Sequence, residues 1–365
     1  MGVVFTRSHN REVNQETAGV RMPSMSRLWW PLGTGLVVLV VIAVIAGWIG
    51  SVNIPPLSLA KIVLDKAPFL SIDHTWPSSW DTIIWQIRFP RVVLAALVGG
   101  ALAISGATYQ GVFRNPLAAP SLIGVASGAG LGATVVLVTG ANLYFHGFSL
   151  LPVAAFVGAL LAVSVAFAIA KQSEGLPLTT LILAGVAISL LASAVTSLLM
   201  IRASPDVRPV LAWLMGGFIG SDWRDVQVVL PYLALGVLVM LAYGRVLNLF
   251  QLDEREAAQL GVNVERTKVV LIVMASLTTA AAVSVSGPIV FVGLIAPHAV
   301  RLIWGHDHRF LLPMSLVVGA GFLVLADLVA RTIVSPTELP VGVVTSFCGG
   351  PFFLYLLRRS RRLSV

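Results

Sequence analysis

Ten apolar segments, most of them about twenty residues long, divide this sequence into membrane-sized pieces joined by short polar connections. About twenty consecutive apolar residues are what a helix needs to cross the hydrocarbon core of a bilayer, and a helix satisfies its own backbone there. We therefore predict an all-α polytopic membrane protein with about ten transmembrane helices per subunit. The predicted spans are residues 31–50, 91–110, 121–139, 150–170, 179–200, 226–244, 268–286, 289–304, 311–331 and 340–357.

The composition supports this class. Hydrophobic residues make up 57% of the chain and charged residues 11%, whereas a soluble domain has about 25% charged residues. The stretch 207–219 is apolar but too short to span, so we predict a partial helix at one face of the bundle. An even number of spans places both termini on the same side.

The basic residues give the orientation. Of the 24 Lys and Arg residues, 16 fall on the side that carries both termini and the connection after residue 244. Because Lys and Arg accumulate in cytoplasmic connections, we predict that both termini are cytoplasmic. The chain then comprises a disordered tail (1–28), a ten-helix transmembrane domain (29–357) and a basic tail (358–365). The same excess explains the pI near 10.2, so no nucleic-acid role is needed.

A charged segment interrupts this apolar pattern between Asp253 and Lys268, where seven of sixteen residues carry charge. Such a segment cannot lie in hydrocarbon, so we predict a cytoplasmic loop held between two spans, where a soluble partner can push. No lysine in the chain follows a glycine, so the phosphate-binding loop of the Walker type is absent. We predict that this chain is not an enzyme, has no catalytic residues and holds no cofactor.

Two other motifs carry little weight. The run from Gly128 to Ala133 fits a dinucleotide-binding pattern, but it follows no strand and lies inside a span. Its glycines are spaced for close helix packing instead. The triplet from His306 to His308 suggests metal ligands, but a short turn between two spans explains it, and we predict no metal site.

Ionisable side chains at the ends of spans are costly and usually functional. Pro90 disfavours helix at the preceding residue, so we expect a span to begin here, with Arg88 and Arg91 near the external surface. Asp327 and Arg331 are four residues apart and share a helix face, where they can pair. Snorkelling of the arginines towards water is the simpler alternative.

The second span breaks at Asn115-Pro116, on the cytoplasmic side. Gln110 and Asn115 lie at this break. Their polar side chains either cap the helix end or serve a function, and the sequence leaves both interpretations open.

Several motifs, in order along residues 83–357, resemble the FecCD-type permeases, the membrane subunits of type II ABC importers for cobalamin, haem and iron–siderophore complexes. The N-terminal motifs are Gln86-Ile87-Arg88-Phe89-Pro90-Arg91, Phe113-Arg114-Asn115-Pro116-Leu117-Ala118 and Leu183-Ala184-Gly185-Val186. The C-terminal ones are Gly287-Pro288-Ile289-Val290-Phe291-Val292-Gly293-Leu294, Asp307-His308-Arg309 and Glu338-Leu339-Pro340-Val341-Gly342.

The resemblance implies a homodimer in the cytoplasmic (inner) membrane of a prokaryote, surrounded by membrane lipid. Two ATPase subunits, which use ATP and Mg²⁺, would dock on the cytoplasmic side. A periplasmic or lipid-anchored substrate-binding protein would dock on the external side. The bundle would open alternately to each side.

The resemblance also implies three sets of site residues. The binding protein would dock on Arg88, Arg91 and Arg331. The cytoplasmic gate would comprise Asn115, Leu117, Leu178 and Thr179, although Leu178 stands where the family can have a polar residue. The ATPase would contact coupling helices at about residues 247–267, with the motif Asp253, Glu254, Arg255, Glu256, Ala257, Ala258 and Gly261.

The cargo is the least determined feature. Permeases for siderophores and haem are the more numerous, so an iron chelate is our first expectation. Cobalamin is the alternative, because the run Trp213–Phe218 and Ser221-Asp222-Trp223 look closer to a cobalamin permease. An ion-coupled secondary transporter is a third hypothesis, which predicts carboxylates at a midplane site. Asp327 is the one acidic residue within the predicted spans, and it lies near an end.

Overall fold

The computed structural model describes residues 25–50, 52–66, 74–140, 144–145, 148–171, 176–202, 207–251 and 254–361. Most of the predicted N-terminal tail, Asp253 of the coupling motif and residues 362–365 lie outside the described residues. The predicted tails are shorter than expected at both ends, because the first helix begins at Met25 and the last one continues to Arg361.

The described residues form fifteen α-helices, and the strand pairing among them is one two-residue antiparallel hairpin, Tyr144–Phe145 with Phe148–Ser149. The N-terminal helices are α1 (Met25–Trp48), α2 (Pro56–Asp65), α3 (Ser78–Thr82), α4 (Phe89–Phe113), α5 (Val125–Thr139), α6 (Leu150–Ala170) and α7 (Leu178–Arg202). The C-terminal helices are α8 (Arg208–Met215), α9 (Trp223–Ala242), α10 (Gly244–Leu249), α11 (Glu254–Gln259), α12 (Val264–Ser286), α13 (Val292–Trp304), α14 (His308–Thr332) and α15 (Val341–Arg361).

The predicted all-α, ten-span class is confirmed. Seven helical stretches of the described chain are long and apolar enough to cross a membrane, and three shorter apolar helices, α5, α13 and α15, add to them. Each of the ten coincides with a predicted span to within a few residues, apart from α1, which begins at Met25, and the stretch Ser78–Phe113, which begins well before the predicted span 91–110. The predicted partial helix at 207–219 is α8, which is eight residues long.

The beginning of α4 corrects the sequence prediction. Helix does not start at Phe89-Pro90: it runs without a break from Ser78 through α3, a π-helical turn at Ile83–Arg88 and α4. A proline ring collides with the carbonyl four residues earlier and offers no N–H. The wider π turn relieves that conflict, as shown by the Phe89 N–H, which donates to the carbonyl of Ile84, five residues back.

Helix α4 forms the centre of the bundle, because it is buried on almost every side. Small residues let neighbouring backbones approach it closely. A Cβ on Gly99 would collide with the carbonyl of Gly319 in α14, and one on Gly106 would collide with the carbonyl of Gly293 in α13. The helices around this centre present apolar side chains outwards, for example Val40 of α1 and Leu190 of α7. That surface suits contact with lipid.

Helix α4 therefore gives a direct test of the packing. We expect Gly106→Ala to destabilise the protein by about 1–3 kcal/mol, since the added methyl group meets backbone that cannot move aside. The measurement is thermal melting of the purified protein in detergent. Gly350→Ala in α15 is the matched control, because a Cβ there meets no atom within 4 Å. Equal melting temperatures for the two variants would contradict this account of the packing.

Residues 287–291 connect α12 to α13 without helical structure, and we call this segment the crossing. Helix α12 ends at Ser286, Gly287 has φ +63°, and Phe291 adopts the left-handed conformation with φ +69° just before α13 begins. Non-helical backbone within a membrane domain is tolerated where protein buries it or where it lines a cavity. Here the Gly217 N–H donates to the carbonyl of Ser286 at 2.8 Å, which ties the crossing to the end of α8.

Candidate functional site

The predicted coupling region, at about residues 247–267, includes the end of the short helix α10 and the whole of α11. Leu247 of α10 and Phe250, which directly follows α10, are buried. In α11, Glu256 and Ala258 are exposed, whereas Ala257 is buried. The segment therefore rests on the bundle with one apolar side and presents a charged side to solvent.

The end of α11 explains the glycine of the predicted coupling motif. The Val262 N–H donates to the carbonyl of Ala257 at 3.3 Å and the Gly261 N–H to that of Ala258 at 2.9 Å. This is the hydrogen-bond pattern that closes a helix with a left-handed residue. Gly261 supplies that residue at φ +85°, a conformation that glycine adopts without strain. A helix end at this position follows from the sequence.

The His306–His308 triplet forms the turn that the sequence predicted, and no group of three metal-ligating side chains occurs among the described residues. The Asp307 carboxylate accepts from the backbone N–H of Arg309 at 3.0 Å and so caps α14. Although burial opposes its ionisation, hydrogen bonds from Arg309 and Asn248 lower the pKa of Asp307 to about 2. Partial burial and the charge of Arg301 lower the pKa of His306.

Asn248 in α10 and Gln251 just after it hold the α10 end of the predicted coupling region against this turn. The Asn248 amide donates to the Asp307 carboxylate at 2.6 Å, and its carbonyl oxygen accepts from the backbone N–H of His308 at 2.8 Å. The Gln251 amide donates to the His306 carbonyl at 3.0 Å. No local sequence pattern marks these two side chains, because their partners lie about sixty residues further along the chain.

At the opposite end of α4 and α14, Arg91 and Asp327 form a buried ion pair. The Nε and Nη2 atoms of Arg91 donate to the Asp327 carboxylate at 3.0 and 2.8 Å, and its Nη1 donates to Glu338 at 2.8 Å. The predicted partner of Asp327, Arg331, is farther away, with 3.7 Å between Nε and Oδ2. The four-residue spacing correctly placed Asp327 and Arg331 on one helix face, but it could not reveal Arg91, which is the closer partner of Asp327.

Arg88 and Arg331 bind carbonyls near the end of α1. Arg88 donates to the carbonyls of Trp48 and Val52, both at 2.5 Å, and Arg331 donates to that of Ala46. The three predicted docking arginines are buried in the single chain, with residue exposures of 4% for Arg88 and 7% each for Arg91 and Arg331. We call these three arginines with Asp327 and Glu338 the arginine cluster. It joins α1, α4 and α14, and its binding-protein contacts stay a prediction.

The predicted gate residues lie at helix ends. Asn115 follows the end of α4, where Arg114 adopts the left-handed conformation. The Asn115 side chain accepts a hydrogen bond from the Leu117 N–H at 2.9 Å. Asn115, Leu117 and Thr179 are exposed, whereas Leu178 is partly buried. The Asn115 side chain thus stabilises the turn that follows α4, a different contact from the cap of the helix end that the sequence suggested, and the gate stays a prediction.

Gln110 has a different role from helix capping. Its amide donates to the carbonyl of Gly293 at 3.2 Å, and its Oε1 atom accepts from Arg301 at 2.8 Å. Because Gly293 and Arg301 both belong to α13, Gln110 ties the cytoplasmic end of α4 to that helix.

An open, largely apolar cavity of about 480 Å³ lies beside the non-helical crossing. It is bounded by the end of α8, the crossing itself and one side of α15. The lining residues are Leu214, Met215, Pro288, Val290, Gly342, Val343, Ser346, Phe347 and Pro351.

The chain matches a known protein family over most of its length. The model of the FecCD transport family matches residues 36–359, almost the whole of the described bundle. The chain belongs to the FecCD transport family. The resemblance drawn from the sequence motifs is thus confirmed, and with it the assignment of this FecCD member as a multi-pass protein of a prokaryotic cytoplasmic membrane.

Among named relatives of this FecCD protein is the cobalamin import system permease BtuC of Halobacterium salinarum. It is 50% identical over 282 residues, which cover 77% of this chain and 75% of the relative. The hemin transport system permease HmuU of Yersinia pestis is 40% identical over 345 residues, covering 90% and 96%. Both relatives are permease subunits of transport systems.

A solved structure shares the fold. It is described as an inward-facing conformation of an ABC transporter assigned to the metal-chelate type. It is 33% identical to this FecCD protein and covers 90% of this chain and 99% of its own, with a TM-score of 0.77. The chain is therefore an ABC transporter permease of the group that imports vitamin B12, haem or metal chelates.

Proposed function

We propose that this FecCD protein is the membrane-spanning subunit of an ATP-driven importer for cobalamin. In this proposal it works as a homodimer with two ATPase subunits and an external substrate-binding protein, and the dimer opens alternately to the two sides of the membrane. The observation that carries the cargo assignment is the 50% identity to the cobalamin permease of Halobacterium salinarum. This reverses the ranking expected from the sequence, which put iron chelates first.

The α10–α11 segment supports the ATP-driven mechanism. An exposed charged helix that rests on a buried apolar side is a surface on which a soluble subunit can push without entering the bilayer. The chain itself has no phosphate-binding loop. We assign energy conversion to a separate ATPase that contacts Glu256, Ala258 and their neighbours, and catalysis to none of the residues of this chain.

The arginine cluster supports docking at the external end. It contains three arginines and two carboxylates, so its net charge is positive and complements an acidic partner. Glu338 is its most accessible carboxylate, with 34% of its side chain exposed, whereas that of Asp327 is 1% exposed. A carboxylate of the binding protein would reach Arg91 where Glu338 now binds it.

The cavity beside the crossing supports a wide, apolar route for the cargo. The side of α15 that lines the cavity continues into an exposed surface, on which Phe347 is 77% exposed. We assign this surface to contact with a second copy of the chain, because a copy placed there would enclose the cavity between two subunits. The predicted gate at Asn115, Leu117, Leu178 and Thr179 would close such a route at the cytoplasmic end.

Reconstitution tests the proposal. In proteoliposomes that contain this chain, its cognate ATPase and its cognate binding protein, we expect uptake of cyanocobalamin that requires ATP. Omission of the ATPase is the control. Uptake that persists without it and follows an ion gradient would overturn the proposal in favour of a secondary transporter.

Haem or another iron chelate is the second candidate cargo. It is favoured by the hemin permease of Yersinia pestis, which matches this chain over 96% of its own length. In the same proteoliposomes, an excess of haemin or of a ferric siderophore would then block or replace cyanocobalamin uptake. Absence of competition by both iron compounds would leave cobalamin as the cargo.

A further inference from the structure

We infer that Asn248 is a positioning residue that passes movement of the α10–α11 segment to α14, and through α14 to the external end of the bundle. The inference rests on the proposed function, since it assumes that an ATPase moves this segment. The structural basis is the set of contacts between Asn248 and Gln251 on one side and His306, Asp307 and His308 on the other. We call this set the clasp.

The clasp fixes α10 to the first turn of α14 from two directions. Asn248 is bound at both ends of its amide, which donates to the Asp307 carboxylate at 2.6 Å and accepts from the His308 backbone at 2.8 Å. Hydrogen bonds to a charged group are stronger than neutral ones. The two groups can shift relative to each other only if these bonds break, so α10 and the beginning of α14 move together.

Backbone and apolar contacts of α10 also favour joint movement of α10 and the beginning of α14. A Cβ on Gly244 would lie 3.3 Å from the carbonyl oxygen of His308, so the first turn of α10 already touches α14. Leu247 and Phe250 are buried with exposures of 0% and 2%. The contact is therefore a packed joint and not a polar bridge across open solvent.

Helix α14 then connects the clasp to the arginine cluster. Its 25 residues span about 37 Å at a rise of about 1.5 Å per residue. Its first turn carries the clasp, and its last turns carry Asp327 and Arg331, which bind Arg91 of α4 and the carbonyl of Ala46.

Helices α4 and α14 form one mechanical unit. Gly99 and Gly319 bring their backbones into direct contact, and the Arg91–Asp327 pair locks their external ends. Gln110 holds the cytoplasmic end of α4 to Arg301 of α13, the helix that precedes the clasp turn. Coupling between distant sites travels through such contiguous packed and hydrogen-bonded groups. Movement at α10 would reach the external end along this unit.

The test is a charge substitution with a compensating partner. Asn248→Asp places a carboxylate against Asp307 and breaks the clasp. The double variant Asn248→Asp/Asp307→Asn restores an amide–carboxylate pair with the roles exchanged.

The measurement is the number of cargo molecules taken up per ATP hydrolysed by the full reconstituted complex, with cyanocobalamin as the probe, or haemin if the wild type takes up haemin. We expect a five- to tenfold lower ratio, by order of magnitude, for Asn248→Asp. The double variant should recover to within about twofold. A purely structural role would lower ATP turnover and uptake together and leave their ratio unchanged.

An unchanged ratio in an assembled Asn248→Asp complex would overturn the inference. If that variant does not assemble, Asn248→Ala and Gln251→Ala decide, and normal ratios in both would overturn it. A wild-type complex without ATP-driven uptake would instead defeat the proposed function, so the two failures are distinguishable.

Discussion

Replacement of Asp327 by alanine is expected to destabilise the protein by about 3–5 kcal/mol, a larger effect on stability than we expect from any other single change discussed above. Its side chain is 1% exposed and neutralises Arg91, with Arg331 nearby. Without it, two buried guanidiniums lose their shared counter-charge in a region from which water is largely excluded. The measurement is thermal melting in detergent, together with the amount of monodisperse protein recovered from membranes.

Glu338→Gln is the matched control for this prediction. It removes a carboxylate from the same arginine, but from a side chain that is 34% exposed, where an ion pair contributes only about 0–1 kcal/mol. The double variant Arg91→Met/Asp327→Leu should recover part of the loss, since it removes one of the two buried guanidiniums that Asp327→Ala leaves without their shared counter-charge. Melting of Asp327→Ala close to that of Glu338→Gln would refute the buried-pair account.

Glu256→Arg is expected to abolish coupled transport, with at least tenfold lower uptake, while the protein folds and inserts normally. Glu256 is exposed on α11 and makes no contact that stabilises the bundle among those described. Exposed substitutions of this kind change stability by about 0.5 kcal/mol or less. A reversed charge in the centre of the proposed ATPase contact leaves a mismatched surface, for which the penalty is large.

The readout is ATP hydrolysis stimulated by the loaded binding protein, measured beside uptake. Glu265→Arg is the control, because Glu265 is also exposed in the same charged segment but belongs to the first turn of α12. It should retain most of the uptake. Normal stimulated hydrolysis and uptake in Glu256→Arg would remove α11 from the ATPase contact.

The spans were predictable for a physical reason. Hydrocarbon leaves the backbone no hydrogen-bond partner outside the segment, so length and apolarity determine where helices lie, and α6 was predicted at its observed bounds, Leu150–Ala170. The error at Phe89-Pro90 has a physical reason as well. The preference of the residue before proline refers to an ordinary α-helix, and the π turn at Ile83–Arg88 accommodates the ring without ending the helix.

Features of the candidate sites were predictable only where they depend on residues close together in the sequence. The helix end at Gly261 follows from conformational preference, and the Asp327–Arg331 proximity follows from helical spacing. The contacts that organise both ends of the bundle are not local. Arg91 and Asp327 are 236 residues apart in sequence, and Asn248 and Asp307 are 59 apart. No periodicity or motif reports such pairs, because tertiary packing alone brings them together.

The separation of Arg91 from Asp327 has a consequence for biosynthesis. A ribosome adds about 5–20 residues per second, so a chain that has just completed Arg91 waits on the order of 10–50 s for the 236 residues that end at its counter-ion. An unpaired arginine is costly within a bilayer. We expect the external end of α4 to stay at the water interface, or beside the insertion machinery, until α14 emerges. The central helix is then among the first to be synthesised and among the last to settle at its final depth.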